Sequence, residues 1–246
     1  MKAKTGIIFG IHPVDEAIRS GKALDKVLLK HGFKKEMIPG LFPAMKDQNI
    51  PFQYVPVEKL NRLTGKNHQG IIALTSEVEY TNLENLVPLL FEQAKLPAVV
   101  LLDGITDVRN MGAIARSAEC AGFDSLIIPA KGSAQINADA IKTSAGALNS
   151  LPVCRVNSLH DTAKYLHDSG FQLVAATEKA EEVFYKADFT KPTAIILGAE
   201  DSGIDPQLLR MADLLVKIPM YGTIQSLNVS AAASVLFFEL VRQRNP

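Results

Sequence analysis

Metal-ligand patterns are missing from this chain. It has two cysteines, Cys120 and Cys154, each among apolar neighbours, and five scattered histidines. No Cys-x-x-Cys pair or His/Cys cluster has ligand spacing, so no structural metal is expected. The two thiols read as buried and free. Long apolar runs are missing too. None approaches the ~20 residues that a membrane-crossing helix needs. The start, Met1-Lys2-Ala3-Lys4-Thr5, has no secretory apolar segment behind it. A soluble, cytoplasmic protein with no membrane partner is the expectation. The glycine patterns that cradle phosphates, G-x-G-x-x-G after a strand and G-x-x-x-x-G-K-[ST], are also absent. A nucleotide-like ligand must therefore be held in another way, or not at all.

Net charge is absent as well, 26 Lys+Arg facing 26 Asp+Glu, but the two signs are unevenly spread. Residues 1–76 hold 12 Lys+Arg against 6 Asp+Glu, a balance of +6, which leaves 14 against 20, or −6, for residues 77–246. A basic first part suggests a polyanionic partner; a solvated lysine-rich face is the ordinary alternative.

Hydrophobic content of 47% is enough for a real core. The first 76 residues alternate strand and helix signals. Gly6 to Phe9, Lys26 to Lys30, Phe52 to Val57 and Gly70 to Leu74 read as strands. Helices are predicted over Pro13–Arg19 and, broken by Pro39-Gly40 and Pro43, over Lys34–Gln48. Residues 77–97 read as an acidic connector, with Thr81-x-x-Glu84 as a capping box and Pro88 kinking or restarting the helix. From Ala98 onward apolar runs without polar alternation recur at 98–102, 125–128, 153–156, 172–176, 193–197 and 214–218. Such runs suit a parallel sheet covered on both faces. Helices fill the gaps, among them Asn110–Ala121 closed by Gly122, and a last one from about Asn228 to Arg242. The predicted class is α/β in two domains, residues 1–76 and 98–246, joined by the connector.

Three segments stand out chemically. In Asn110-Met111-Gly112-Ala113-Ile114-Ala115-Arg116, the arginine shares a helix face with Gly112 and Ala113, leaving room for a substrate backbone to approach. Its ordinary alternative is a surface pair with Glu119, and Asn110 alone could be an N-cap. Gly198-Ala199-Glu200 follows a strand, where glycine permits close backbone approach to a ligand; a routine tight turn is the alternative. Finally, Ile218-Pro219-Met220-Tyr221-Gly222 leads through Ser226-Leu227-Asn228 into a helix of small residues. That helix start offers free N–H groups and a positive dipole end.

Taken in order, these segments resemble the three signature motifs of the SpoU (TrmH-like) family of RNA ribose 2′-O-methyltransferases, and the likeness covers residues 6–244. Phe9 to Val14, His68 to Ala73, and Ser133 to Ala138 with Lys142 and Ser144 to Ala147 resemble the RlmB-type branch, which modifies large-subunit ribosomal RNA. Asp201-Ser202 stands where the family commonly has Gly-Glu, and Gly132 where close relatives often carry a basic residue. The resemblance implies a small RNA substrate-binding domain over residues 1–76. It also implies a trefoil-knotted SPOUT methyltransferase domain over residues 98–246, working as a homodimer on a guanosine of 23S rRNA. It implies catalytic or supporting roles for Asn110, Arg116, Glu200, Ser226 and Asn228. Contacts to S-adenosylmethionine are implied at Thr177, Gly198, Ile218, Met220, Ser226 and Leu227. A tRNA ribose methyltransferase and a non-catalytic RNA-binding assembly protein are the competing readings.

Overall fold

The computed structural model describes residues 6–93 and 96–245; the basic start, Met1 to Thr5, lies outside them. The chain divides into two compact units, Met1–Glu79 with Ile136–Ala138, and Tyr80–Gln135 with Asp139–Pro246.

The first unit runs β1 (Ile7–Phe9), α1 (Ile11–Arg19), β2 (Leu24–Lys30), a 3₁₀ turn (Lys35–Met37), α2 (Leu41–Asp47), β3 (Phe52–Val55), α3 (Val57–Leu63) and β4 (Ile71–Thr75). Its sheet has the order β1-β4-β2-β3, with β4 antiparallel to both neighbours and β2 parallel to β3. Strand alternation sends Val27, Leu29, Ile71 and Ala73 to a core with Val14, Ile18, Leu41 and Met45. Leu28 and Ile72 meet Val55 and Leu60 on the other face. One expectation needs correction. The strand predicted through Val57 stops at Val55, because Pro56 caps a helix, α3, that the periodicity did not announce. The break predicted at Pro39-Gly40 in the helical stretch 34–48 is there: Gly40 takes a left-handed φ of 83° between the 3₁₀ turn and α2. Pro43 falls in the first turn of α2, where an absent N–H loses no bond. The His68-Gln69-Gly70 segment serves the fold. His68 Nδ1 accepts from Gly70 N–H at 3.0 Å and Nε2 pairs with Asn61 Oδ1 at 2.9 Å, while Gln69 Oε1 accepts from Ile11 N–H at 2.9 Å.

The second unit contains α4 (Leu83–Glu92), β5 (Ala98–Asp103), α5 (Val108–Cys120), β6 (Ser125–Pro129), α6 (Ala138–Thr143), β7 (Val153–Val156) and α7 (Leu159–Asp168). It continues with β8 (Gln172–Ala176), β9 (Glu182–Val183), β10 (Thr193–Gly198), α8 (Pro206–Met211), β11 (Leu214–Lys217) and α9 (Val229–Arg244). All seven strands are parallel, in the order β7-β6-β5-β10-β8-β11-β9. The central strands β5 and β10 are buried up to their last residues, Asp103 and Gly198, which are half-buried, as their unbroken apolar runs predict. The acidic stretch read as a connector contains α4, whose Leu83, Val87 and Leu90 belong to this core. Its cap is Asn82, accepting from Asn85 N–H at 2.9 Å, and not Thr81. The helix runs unbroken through Pro88, because buried side chains on both sides of the proline hold it to the core.

At the far end, α9 is tied down by Arg244, whose guanidinium donates to the carbonyls of Phe189, Leu96 and Lys191. The thiol expectation holds for Cys154, which burial pushes up to about 11. It fails for Cys120, which lies exposed in the last turn of α5 on the side away from the core. Among the described residues no helix is long and apolar enough to cross a membrane, and no group of three or more His, Cys, Asp or Glu could hold a metal ion.

Candidate active site

Open parallel sheets bind ligands beyond the carboxyl ends of their strands. Here the ends of β8, β10 and β11 converge below the loop that leads into α9. They enclose a cavity of about 400 Å³, within the range of small-ligand sites. Its wall is apolar at Leu197, Val216, Ile218, Leu227, Val229 and Ala232. Polar groups enter from Thr177, Glu178, Glu200, Lys217, Gln225, Ser226 and Asn228, and Gly198 and Met220 also line it. Thr177 is set by its N–H, which donates to Val216 O at 2.9 Å.

Gly198 is required by geometry. The chain turns back over it, and paired backbone bonds between Ala199 and Gly203, 3.2 and 2.9 Å, close the turn. A Cβ on Gly198 would lie 2.2 Å from Gly203 C and 2.4 Å from Ile204 N. With Asp201-Ser202 at its tip, the turn presents Glu200 to the cavity mouth. Asp103, at the end of β5, pins the exit of this turn by accepting from Asp205 N–H at 2.7 Å.

Three side chains distant in sequence meet at that mouth. Glu200 Oε1 accepts from Asn110 Nδ2 at 3.1 Å and from Asn228 Nδ2, which also donates to Asn110 Oδ1 at 3.0 Å. Asn228 caps α9, its Oδ1 accepting from Ser230 N–H at 3.0 Å and Ser230 Oγ at 2.6 Å. Asn110 is not the cap of α5. Asp107 is, accepting from the N–H groups of Arg109 (2.6 Å) and Asn110 (3.1 Å), which frees the Asn110 amide for Glu200. Packing of α5 on α9 is reinforced by a 2.8 Å bond between Ser117 Oγ and Ser234 Oγ.

Arg116 stands apart from this network. It is exposed, is not among the residues lining the cavity, and among the described residues it pairs neither with Glu119 nor with any other group. The space assigned to Gly112 also needs correction. Its missing side chain admits α6: a Cβ there would lie 2.8 Å from both Ala140 O and Thr143 Cβ. Arg109 was not singled out by the sequence reading. It is exposed, its side chain has no partner among the described residues, and it lies seven positions before Arg116 on the same helix face. That spacing was the available signal.

A parallel α/β unit with its cleft at the strand ends, preceded by a separate α/β unit, defines a two-domain α/β protein with a small-ligand site, and the family models give its class, methyltransferase. The SpoU rRNA Methylase family matches residues 97–238, and RNA 2′-O ribose methyltransferase substrate binding matches residues 7–81. A Staphylococcus epidermidis protein assigned to the TrmH family of tRNA/rRNA methyltransferases is 37% identical over 242 residues, covering 97% of this chain and 96% of that one. The SpoU methyltransferase AviRb from Streptomyces viridochromogenes, solved with the cofactor AdoMet, superposes with a TM-score of 0.62 at 25% identity, covering 97% and 90% of the two chains. The A. aeolicus TrmH/SpoU tRNA modifying enzyme superposes with a TM-score of 0.56 at 32% identity, over 65% of this chain and 83% of that one. The chain belongs to the SpoU (TrmH) family of RNA 2′-O-ribose methyltransferases.

Proposed function

We propose that this protein methylates the ribose 2′-hydroxyl of a guanosine in 23S rRNA, using S-adenosylmethionine. The observation that carries the reading is the cavity beyond β8, β10 and β11, which joins the Asn110–Glu200–Asn228 network at its mouth. The lining fits that cofactor. An apolar wall suits an adenine ring, and the close backbone of the Gly198 turn admits a flat ligand. Glu178 and Glu200 supply acceptors for sugar hydroxyls and for positive charge. Thr177, Gly198, Ile218, Met220, Ser226 and Leu227 are the proposed cofactor contacts. Residues 1–76 are the proposed RNA-binding domain, and residues 98–246 the proposed methyltransferase domain, knotted and homodimeric as in the family and acting in the cytoplasm.

When bound, the cofactor supplies an electrophilic methyl group on sulfonium. The chain's own residues must orient a weak nucleophile and stabilise the charge that develops on it. Arg116 is the proposed actor on the ribose oxygen. A guanidinium stays protonated near neutral pH, so it serves as an electrostatic clamp and not as a base. A phosphate oxygen or water takes the proton. Arg109, on the same face, is proposed to hold the neighbouring phosphate. Asn110, Glu200, Ser226 and Asn228 hold the loops of the site in register.

Leu227→Glu is expected to weaken S-adenosylmethionine binding at least tenfold. It replaces an apolar wall residue with a carboxylate beside Glu200, and closing a ligand over that charge is unfavourable. Isothermal titration, with circular dichroism as the fold control, measures it; an unchanged dissociation constant would move the pocket elsewhere.

Removing residues 1–76 is expected to leave cofactor binding intact while RNA affinity falls and its salt dependence flattens. The +6 balance leaves with the removed part, and the slope of log K against log salt follows the number of phosphates neutralised. A salt titration of both forms reads this, and equal slopes would remove the first domain from RNA recruitment.

The likeness, over 65% of the chain, to a tRNA modifying enzyme favours tRNA as the second reading. The family model over residues 97–238, described as an rRNA methylase family, supports rRNA, and the model over residues 7–81 supports an RNA substrate of either kind. Mapping ribose methylation in total RNA from a deletion strain, with complementation, decides between them. Failure to bind S-adenosylmethionine would instead favour a silent RNA-binding protein.

A further inference from the structure

The segment from Lys142 to Ala147 has no part in the reaction described above. It forms the corner at which α6 ends. Ala145 and Gly146 follow one another in the left-handed region, at φ of 51° and 91°. An alanine adopts that conformation only where its surroundings impose it. Ser144 imposes it here. It is buried, its Oγ donates to Ile141 O at 2.9 Å, and its N–H donates to Ala140 O at 2.8 Å. Ser144 O in turn accepts from Ala147 N–H at 3.0 Å. The corner is therefore rigid, and the last turn of α6 is held with it.

Its packing gives its place. A Cβ on Gly112 of α5 would lie 2.8 Å from Ala140 O and Thr143 Cβ and 3.1 Å from Ser144 N, so α6 crosses α5 at that glycine. Arg109, Gly112 and Arg116 share one stripe of α5, at spacings of three and four. Gly112, in the middle, is buried under α6, and the two arginines stay exposed on either side of the crossing. Lys142 precedes Thr143 in the turn that makes the crossing. It is exposed, and its ammonium has no partner among the described residues, Asp139 one turn earlier included. Three unpaired cations thus stand on two helices in direct contact, next to Asn110 of the cavity mouth. A lone phosphate needs one or two of them. A nucleic-acid strand, with its repeated phosphates, can engage all three. Ala145 and Gly146 carry no long side chain that would obstruct such a strand at the corner.

We propose that Lys142 binds a further phosphate of the RNA strand whose ribose is presented to Arg116. It is a positioning residue: phosphate contacts fix the register of a strand without reading its bases. The inference rests on the RNA methyltransferase reading and adds to it a contact outside the three motifs.

The test uses full-length protein and unmodified 23S rRNA transcript. Lys142→Ala is expected to raise the KM for RNA about tenfold, the loss of one charged hydrogen bond, with kcat and S-adenosylmethionine affinity unchanged. The slope of log K against log salt, measured with S-adenosylhomocysteine bound, is expected to fall by about 0.7, the value for one phosphate on a single strand. Lys142→Arg keeps the charge and is expected to restore both KM and slope. Alanine is a good helix former, so the melting temperature should hold. Wild-type KM and slope in Lys142→Ala overturn the proposal and leave the methyltransferase reading intact. So does a loss of kcat at constant KM, which would put the lysine on the reaction, or a failure of arginine to rescue, which would make its role one of packing. If the wild-type protein transfers no methyl group to this RNA, the 23S rRNA reading fails instead, and the salt slope of RNA binding still scores Lys142.

Discussion

Arg116→Ala is expected to lower methyl transfer by on the order of 10²–10³ while S-adenosylmethionine binding is unchanged, the cost of removing one positioned contact to developing negative charge. The expectation starts from solvent. Arg116 is exposed and among the described residues has no partner, so its charge is not consumed by the fold. Its removal opens no cavity and leaves no buried group unpaired, which keeps folding out of the result. It also lies outside the cofactor cavity, so binding and turnover should separate. Single-turnover kinetics at saturating cofactor, with a parallel binding titration, make the measurement. Wild-type turnover would end the assignment; a parallel loss of cofactor affinity would place the arginine in binding.

Gly198→Ala is expected to abolish detectable cofactor binding, and with it activity, through a single methyl group. The added carbon would lie 2.2 Å from the backbone of Gly203. A flexible side chain could yield at that distance, but a backbone closed by two hydrogen bonds and pinned through Asp205 to Asp103 has to move as a unit. Overpacking of this kind costs about 1–3 kcal/mol, and relief by shifting the turn carries Glu200 away from Asn110 and Asn228. Calorimetric titration with S-adenosylmethionine reads the loss, and the melting temperature reports the strain. Retained affinity would mean that the turn can open without disturbing the cavity.

Much of the architecture was legible residue by residue. The runs beginning at Ala98, Ser125, Val153, Gln172, Thr193 and Leu214 all became strands of the parallel sheet, because strands covered on both faces are apolar throughout and few other elements are. Errors gathered where local signals competed. Thr81 and Asn82 are adjacent capping residues, and only the packing of Leu83, Val87 and Leu90 selects the frame that makes Asn82 the cap. Pro56 ends one element and begins another, so it could not show by itself that a helix follows. Cys120 has apolar neighbours in sequence, yet helical geometry turns it outward.

The sequence by itself determined the parallel α/β class, the charge difference between the two parts, and the residue types available for chemistry. It could do so because strand periodicity, turn preference and charge are properties of neighbours along the chain. Which polar groups meet was decided only by tertiary structure. Asn110 and Asn228 are 118 positions apart, and they touch because β5 and β10 pair in register at Asp103 and Gly198 while α5 packs on α9. The same packing assigned Gly112 to a neighbouring helix and left Arg116 in solvent. Both glycines read alike in sequence, since what an absent side chain makes room for lies on another part of the chain.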